Sequence, residues 1–285
     1  MSVAAGGLSG PSDATAPARR RPGRVRRALA EILPPVIVFV VAVIGWELLI
    51  GALGVKSFVL PKPSAIVAAL QANWSEGFGI FPSARATLVE AIGGLIIGTV
   101  AGVLVAFASA RWLSAQHALL PLAVAAGAIP IIAFAPLMNN WFGVVSPLSK
   151  MMMAAVLVFF PVMANVTKGL TQVEPGALEL MRSYAASDTE VLRKLRIPNA
   201  LPYFFTALKL ASTLALIGAI VGEYFGGASL VLGRIIVQSA SALKFDVTWA
   251  AITVAAIAGI VFYLLIAAIE RLVIPWHASV REEVS

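Results

Sequence analysis

The chain has 285 residues, of which 60% are hydrophobic and 12% are charged, and its mean hydropathy is +0.92. Soluble domains average about 45–50% apolar and about 25% charged residues. The composition therefore excludes an ordinary soluble protein and indicates an integral membrane protein.

The net charge of +7 would suggest nucleic-acid binding if the protein were soluble. Six of the arginines, however, lie just ahead of the first apolar run, where the positive-inside rule places a cytoplasmic segment. We therefore expect a membrane setting and no nucleic-acid partner. These residues are Arg19, Arg20, Arg21, Arg24, Arg26 and Arg27.

The N-terminal part, residues 1–31, is rich in Ala, Gly, Ser, Pro and Arg and lacks apolar periodicity, which predicts a disordered cytoplasmic tail. The next run, about 32–53, is long enough to cross a bilayer, which needs about 20 residues. Glu47 lies near the outer end of this first span, where hydration or pairing explains it more simply than a functional role. A polar excursion over 56–83 follows and includes a short amphipathic stretch, 65–74.

The second predicted span covers about 86–108. Glycines recur in it at every fourth residue, and such a ridge of small side chains lets a neighbouring helix approach closely. Glu90 lies one turn inside the start of this span, so we expect it to face protein or water. The glycines are Gly94, Gly98 and Gly102.

The third predicted span, about 118–138, contains three prolines and is expected to be kinked or broken. Broken helices line the route in many transporters, but prolines are also tolerated where neighbouring helices satisfy the backbone. Both readings stay open. The prolines are Pro121, Pro130 and Pro136, and a short outer turn, Asn139-Asn140-Trp141-Phe142-Gly143, follows them.

Three further spans are predicted at about 147–166, 203–226 and 248–274. The fifth carries alanines at four-residue spacing, again a close-packing face, and Glu223 at its outer end. A loop containing Arg234, Lys244 and Asp246 is expected between the fifth and sixth spans, and residues 275–285 form a polar cytoplasmic tail. The alanines are Ala207, Ala211, Ala215 and Ala219.

Six spans put both termini on one side of the membrane. With the termini inside, 15 of the 21 basic residues lie on the inner side. The positive-inside rule then predicts cytoplasmic N and C termini. The six outer basic residues are Lys56, Lys62, Arg85, Lys150, Arg234 and Lys244.

The longest polar stretch between spans is Thr167–Pro202, here called the polar segment, and the same orientation makes it cytoplasmic. Within it, residues 177–195 read as one helix, started by Pro175-Gly176 and ended by Pro198. Apolar side chains fall roughly on one face of that helix and charged ones on the others, which suits docking into a soluble partner. The apolar side chains are Leu178, Met181, Ala185 and Leu192.

The sequence lacks the patterns of common catalytic sites. It has no phosphate-binding loop of the Gly-x-x-x-x-Gly-Lys-Ser/Thr type, no His-Glu-x-x-His and no Gly-x-Ser-x-Gly. Cysteine is absent, and His117 and His277 are too far apart for a metal cluster. We expect no catalytic residue, metal or cofactor in this chain, and expect the energy for any uphill transport to come from a partner ATPase.

The polar segment resembles the coupling loop of membrane permeases from bacterial binding-protein-dependent ABC importers. That loop reads approximately Glu-Ala-Ala, three residues, Gly, nine residues, and Ile-x-Leu-Pro. In this chain the position of the Glu-Ala-Ala triplet is occupied by Glu179-Leu180-Met181, and that of the glycine by Ala185. The position of the closing Ile-x-Leu-Pro is occupied by Leu195-Arg196-Ile197-Pro198. The spacing is kept, although two alanines and the glycine are replaced.

Other short motifs are similar to the nitrate/sulfonate/taurine-type branch of this family. Together with the loop, they extend the resemblance over about 35–275. They are Leu60-Pro61-Lys62-Pro63-Ser64, Ala128-Ile129-Pro130, Trp141-Phe142-Gly143 and Val221-Gly222-Glu223.

The resemblance implies an all-α membrane fold of the MetI-like importer-permease type, with a permease domain over 32–274 and the coupling loop over 167–202. It implies two permease subunits, with a homodimer expected, two cytoplasmic ATPases that use the ATP, and an extracytoplasmic solute-binding protein in a bacterial inner membrane. The residues expected to contact the ATPase are Glu179, Arg182, Ser183, Tyr184, Ala185, Ala186 and Ser187.

The solute is harder to infer. Asn139, Asn140, Trp141 and Glu223 are candidates for the translocation path, and the branch includes importers of anions and of pyrimidine-type vitamin precursors or riboflavin. The first three of these residues, together with Leu201-Pro202-Tyr203-Phe204-Phe205, favour the second group, and the lack of a predicted cation near the middle of the membrane agrees with this preference. Nitrate-, sulfonate- or taurine-type anions remain the alternative, and a stand-alone secondary transporter is the less favoured rival. For Arg193, Lys194 and Arg196, binding to anionic lipid headgroups is as reasonable as a role in coupling.

Overall fold

The computed structural model describes residues 24–76, 79–111, 130–228 and 230–275, and its ordered elements there are helices joined by turns. We label the α-helices α1 to α10; a 3₁₀ turn, Ile131–Phe134, precedes α4, and a π-helical turn, Leu192–Arg196, precedes α8. The bounds are α1 Arg24–Leu53, α2 Pro63–Ala72, α3 Ile80–Arg111, α4 Ala135–Phe142, α5 Pro147–Thr171, α6 Pro175–Ser183, α7 Asp188–Val191, α8 Ile197–Tyr224, α9 Leu232–Ser241 and α10 Phe245–Val273.

Five stretches among these residues are long and apolar enough to cross a membrane. They lie in α1, α3, α5, the run from α7 through α8, and α10, so the predicted all-α membrane fold is confirmed. The third predicted span, 118–138, lies mostly outside the described residues. Its described end forms the 3₁₀ turn and the start of α4.

The chain divides into two compact units near residue 50, and α1 is the described part of the first. This helix begins at Arg24, within the segment predicted to be a disordered tail. The residues that start it, RVRRALA, are mostly Arg, Ala and Leu, which are good helix formers.

Helix α5 is the centre of the second unit, and α3 packs along it through the predicted glycine ridge. A Cβ atom at Gly94 would lie 2.6 Å from the Met151 carbonyl oxygen, and one at Gly102 would lie 2.9 Å from the Phe159 carbonyl oxygen. These contacts advance together along both helices, so α3 and α5 run parallel. Only glycine permits backbones to approach so closely.

Helix α8 packs on α5 through the predicted alanine face. Those alanines are fully or almost fully buried, in one hydrophobic cluster with side chains of α3 and α5. Gly218 of α8 lies against Ala154, and Asn199 near the start of α8 lies against Gly169. Helix α8 therefore runs antiparallel to α5.

The region between α8 and α10 was predicted to be a loop, and this prediction is wrong, because residues 232–241 form helix α9. Its buried positions Leu232, Ile235, Ile236 and Ser239 recur at helical spacing, a signal that the polar residues nearby obscured. Ser239 shares a hydrogen bond of 2.7 Å with Thr248, which holds α9 on α10.

The second unit has two distinct ends along α5. The polar segment begins in the last turns of α5 and continues beyond its C-terminus, and we call this the coupling end. The N-terminal end of α5, with α9 and the C-terminal end of α8, is the far end. Helix α5 has 25 residues, so these ends are about 37 Å apart at 1.5 Å per residue.

Replacing Gly98 by Ile should destabilise the helix pair, since a Cβ there would lie 2.7 Å from the Val158 Cβ. Overpacking of this kind costs about 1–3 kcal/mol, so we expect a lower thermal unfolding midpoint in detergent. Gly176→Ala is the control, because a Cβ at Gly176 would contact nothing within 4 Å among the described residues. Equal midpoints for the two variants would contradict the packing described here.

Candidate functional site

The first part of the polar segment is helix α6, which ends in a Schellman motif. The Ala186 N–H donates to the Met181 carbonyl at 3.1 Å, and the Ala185 N–H donates to the Arg182 carbonyl at 2.9 Å. Ala185 has a φ of +52°, the left-handed conformation that this motif requires. Glycine is the usual residue there because it has no Cβ. The structure thus uses alanine where glycine would be unstrained.

A second short helix, α7, begins directly afterwards with a capping box. The Ser187 hydroxyl accepts from the Glu190 N–H at 3.4 Å, and the Ser187 N–H donates to the Glu190 carboxylate at 3.0 Å. Glu190 also pairs with Lys194 one turn later, at 3.1 Å. These reciprocal contacts fix the direction in which the chain leaves the turn.

The prediction of one helix over 177–195 is therefore wrong, and Ala185 lies in a turn rather than on a helix face. The end of α6 and the start of α7 are both determined by local contacts, the first by the Schellman motif and the second by the capping box. The Ser-x-x-Glu pattern at Ser187 and Glu190 was a visible signal for the second start. The apolar spacing through this region concealed it.

The predicted end at Pro198 is also wrong, because the chain continues through the π-helical turn into α8. Proline has no N–H and obstructs the preceding turn of a regular helix. Here Pro198 is in the first turn of α8, directly after the wider π turn, where its lost hydrogen bond costs least. Residues 188–224 consequently form one nearly continuous helical rod.

Two hydrogen bonds attach the start of α8, within this rod, to the end of α5. The Asn199 amide donates to the carbonyl oxygens of Gly169 at 2.8 Å and Gln172 at 3.0 Å. Gly169 permits this approach, since a Cβ there would lie 2.7 Å from the Ala200 Cα. A displacement of the polar segment must therefore move α5 and α8 together or break these hydrogen bonds.

The predicted contact residues lie close together in the last part of α6 and on the turn between α6 and α7. Ala186 is half-buried, and the others are exposed. Leu180 and Tyr184, one helical turn apart, present large apolar side chains that are 56% and 76% exposed. The exposed residues of the predicted set are Glu179, Arg182, Ser183, Tyr184, Ala185 and Ser187.

The far end contains a buried polar cluster that brings together two of the four residues predicted for the translocation path. Glu223 is fully buried, and Asn139 is nearly so. The Glu223 carboxylate accepts from the Gly233 N–H at 2.6 Å, at the N-terminus of α9. The Asn139 amide donates to the Phe225 carbonyl at 3.3 Å, and its oxygen accepts from Lys150 at 3.3 Å.

Asn140 and Trp141 do not join this cluster, and both side chains are exposed. Lys150 was not predicted to belong to this site and was counted only among the outer basic residues. Lys150 is fully buried, between α4 and α8. Its position in an otherwise apolar run was the available signal, since a charged residue within a span usually has a partner.

Comparison with known protein families matches residues 94–277 to the family described as "Binding-protein-dependent transport system inner membrane component". The match covers the polar segment and most of the second unit. The chain belongs to this family. It is an ABC importer permease, so it is a membrane component of a transport system, and the family implies an ATPase and a solute-binding protein as partners.

Individual relatives agree with this assignment. The permease is 31% identical to the formylaminopyrimidine transport permease protein ThiX of Halalkalibacterium halodurans, over 87% of this chain and 97% of the relative. It is 29% identical to the riboflavin transport system permease protein RibX of Chloroflexus aurantiacus, over 82% and 86%. An inward-facing structure of the MetNI methionine ABC transporter shares the fold, with a TM-score of 0.52 and 17% identity over 75% of this chain and 98% of that one.

Replacing Ala185 by Gly should strengthen the turn between α6 and α7, because it removes a steric cost of about 1 kcal/mol for a left-handed residue with a Cβ. We expect amide hydrogen exchange of the turn to become about fivefold slower in the assembled permease. Ala186→Gly is the matched control, since Ala186 lacks a positive φ, and it should exchange faster because glycine only adds freedom to the open chain. Slower exchange in both variants, or in neither, would contradict the prediction.

Proposed function

We propose that this permease carries a small solute across the membrane and that the turn between α6 and α7 receives the mechanical work of a partner ATPase. The observation that carries this proposal is the exposed pair Leu180 and Tyr184 on a turn whose backbone is fixed by the Schellman motif and the capping box. An apolar pair on a short helix is typical of a segment that docks into a groove.

The charges beside this pair favour a specific orientation of docking. Glu179 and Arg182 flank Leu180, and both are exposed. Charged residues at the rim of an interface contribute mainly to orientation and to association rate, whereas the apolar side chains contribute most of the affinity. We assign the contact role to Glu179, Arg182, Ser183, Tyr184, Ala185, Ala186 and Ser187.

The rod from α7 through α8 provides the route by which docking reaches the membrane. It has 37 residues, or about 55 Å at 1.5 Å per residue. The first turn of its α8 part is held to α5 by Asn199, and its far end carries Glu223. A rotation of the turn would therefore displace the alanine-lined face of α8 against α5.

The proposed assembly contains two copies of this permease, two ATPases on the coupling end and a solute-binding protein on the far end. The coupling end and both termini would face the cytoplasm, in agreement with the distribution of basic residues. ATP would be bound by the ATPase, and this chain would hold no cofactor or metal. Arg193, Lys194 and Arg196 would serve either the ATPase or the anionic lipid surface.

For the solute, we favour a pyrimidine-type vitamin precursor or riboflavin. The relatives ThiX and RibX, named for formylaminopyrimidine and riboflavin transport, support this choice. The charges of the second unit support it as well. Lys150 is occupied by protein acceptors, and Lys209 pairs with Glu270 at 2.6 Å, so neither is available to a small anion. Trp141 and Asn140, both exposed, are candidate contacts for an aromatic, hydrogen-bonding solute.

Tyr184→Ala should weaken binding of the ATPase by about 2 kcal/mol, or roughly thirtyfold, because a central aromatic anchor is lost. Uptake by the Tyr184→Ala variant should fall accordingly, with membrane insertion unchanged. Replacing Glu179, or placing a bulky charged side chain at Ala185, should also uncouple transport and leave membrane insertion intact. Co-purification of the ATPase and uptake into proteoliposomes measure this. Tyr224→Ala at the far end is the matched control. Wild-type co-purification and uptake in all the polar-segment variants would refute the coupling role.

The solute is tested by ATP-dependent uptake into proteoliposomes containing the permease, its ATPase and its binding protein. We expect uptake of a formylaminopyrimidine or riboflavin, and no uptake of nitrate, taurine or an alkyl sulfonate. The opposite pattern would establish the anion alternative. Uptake that persists without the ATPase would instead indicate a secondary transporter.

A further inference from the structure

The far-end cluster contains three ionisable side chains that are almost completely removed from solvent. The exposed fractions are 4% for Glu90, 0% for Lys150 and 0% for Glu223. They come from α3, α5 and α8. Both carboxyl-bearing helices meet the start of α9, because Thr87, one turn before Glu90 on α3, accepts the Leu232 N–H at 3.0 Å and Glu223 accepts the Gly233 N–H at 2.6 Å. The proposed transport function does not use this arrangement.

Lys150 supplies one positive charge but no hydrogen-bond donor to the carboxylates. An ammonium group has three N–H donors. All three are directed to other acceptors: the Asn139 side-chain oxygen at 3.3 Å, the Ser149 hydroxyl at 2.9 Å and the Val144 carbonyl. Lys150 therefore balances charge through space and leaves the carboxylate oxygens to find other donors.

The described residues supply too few hydrogen-bond donors for the oxygens of the Glu90 and Glu223 carboxyl groups. Glu223 receives the Gly233 N–H at 2.6 Å, and Thr87, whose oxygen accepts the Leu232 N–H, is also within reach of Glu223. One oxygen of each carboxyl group, Oε2 of Glu90 and Oε1 of Glu223, has no hydrogen-bond partner among the described residues. Two adjacent acceptors without a donor repel each other, and such groups in an apolar interior are costly.

The sum of the charges in the cluster also indicates that one positively charged donor is missing. Among the described side chains around the site, two carboxylates and one ammonium leave one negative charge uncompensated, and an unpaired charge in such an interior is strongly disfavoured. One further positive charge would make the cluster neutral. A proton both neutralises the charge and supplies the missing donor, and it needs no cage of oxygen ligands.

We propose that Glu90 and Glu223 bind one proton between them. The proton is carried by Glu90, which donates a hydrogen bond to Glu223. Glu223 stays ionised because it accepts the Gly233 N–H at the N-terminus of α9, and both contacts favour the charged form. The bound proton and Lys150 together neutralise the two carboxyl groups, so α9 is held on α3 and α8 by a neutral buried cluster.

The close approach of α9 depends on the same geometry. A Cβ at Gly233 would lie 2.7 Å from the Glu223 Cβ and 2.8 Å from its Oε2. The titratable groups that face the carboxyl pair are Lys150 from α5 and Tyr224, which follows Glu223 in α8. Neither one adds a hydrogen-bond donor to the pair among the described contacts.

Infrared spectroscopy of the full-length permease in lipid at neutral pH tests the proposal. Exposed Asp and Glu side chains are ionised there, whereas a protonated Glu90 gives a carboxylic-acid C=O band that shifts in D₂O. We expect Glu90→Gln to abolish this band. Glu270→Gln is the matched control: Glu270 is also buried, but it pairs with Lys209 at 2.6 Å, so the band should remain in this variant.

Thermal unfolding and a second variant keep the proposal testable if Glu90→Gln fails to fold. Glu90→Gln keeps a donor toward Glu223 and should leave the thermal midpoint within a few degrees of wild type, whereas Lys150→Met should lower it clearly. If Glu90→Gln cannot be purified, loss of the band in Glu223→Gln supports the proposal. Absence of the band in wild type, or its persistence in both variants, overturns it. A thermal midpoint that rises with sodium or potassium concentration also overturns it, because the cluster would then hold a metal cation.

Discussion

Close contact between the backbones of α3, α5 and α8 is the constraint on which the rest of the second unit depends. Lipid offers little hydrophobic driving force between helices, so association relies on packing and on polar contacts. Glycine on α3 and alanine on α8 allow α5 to lie between them with little space lost. Helix α5 is thereby held along its length, and polar groups at its two ends are brought to defined positions.

The two ends use this arrangement differently. At the coupling end, Asn199 ties α8 to the last turn of α5, and the segment beyond it is exposed. At the far end, the buried side chains Lys150, Glu90 and Glu223 lie among α3, α4, α5, α8 and α9. Because α8 reaches both places, the proposed function would carry a movement at the exposed end to a region where polar contacts are costly to break. This linkage is a property of one continuous rod rather than of any single residue.

The polar segment shows which of its features could be predicted from local sequence patterns and which could not. The family to which it points was predicted correctly, but its helices were not, because the apolar spacing continued through a break. The break itself follows from local chemistry, a Schellman motif at Ala185 and a capping box at Ser187. The alanine in a left-handed conformation explains how the turn survives the loss of the family's glycine, at the cost of some strain.

The sequence by itself determined the membrane class, four of the spans to within a few residues at most boundaries, the glycine and alanine faces and the importer family. These features are repetitive or local, and lipid imposes them on composition and spacing directly. Only the tertiary structure decided that Lys150 is buried beside Glu90 and Glu223 and that residues 232–241 pack as a helix on them. Side chains far apart in the chain acquire a shared environment only when the helices that carry them become neighbours, and no spacing within one helix specifies which helices those will be.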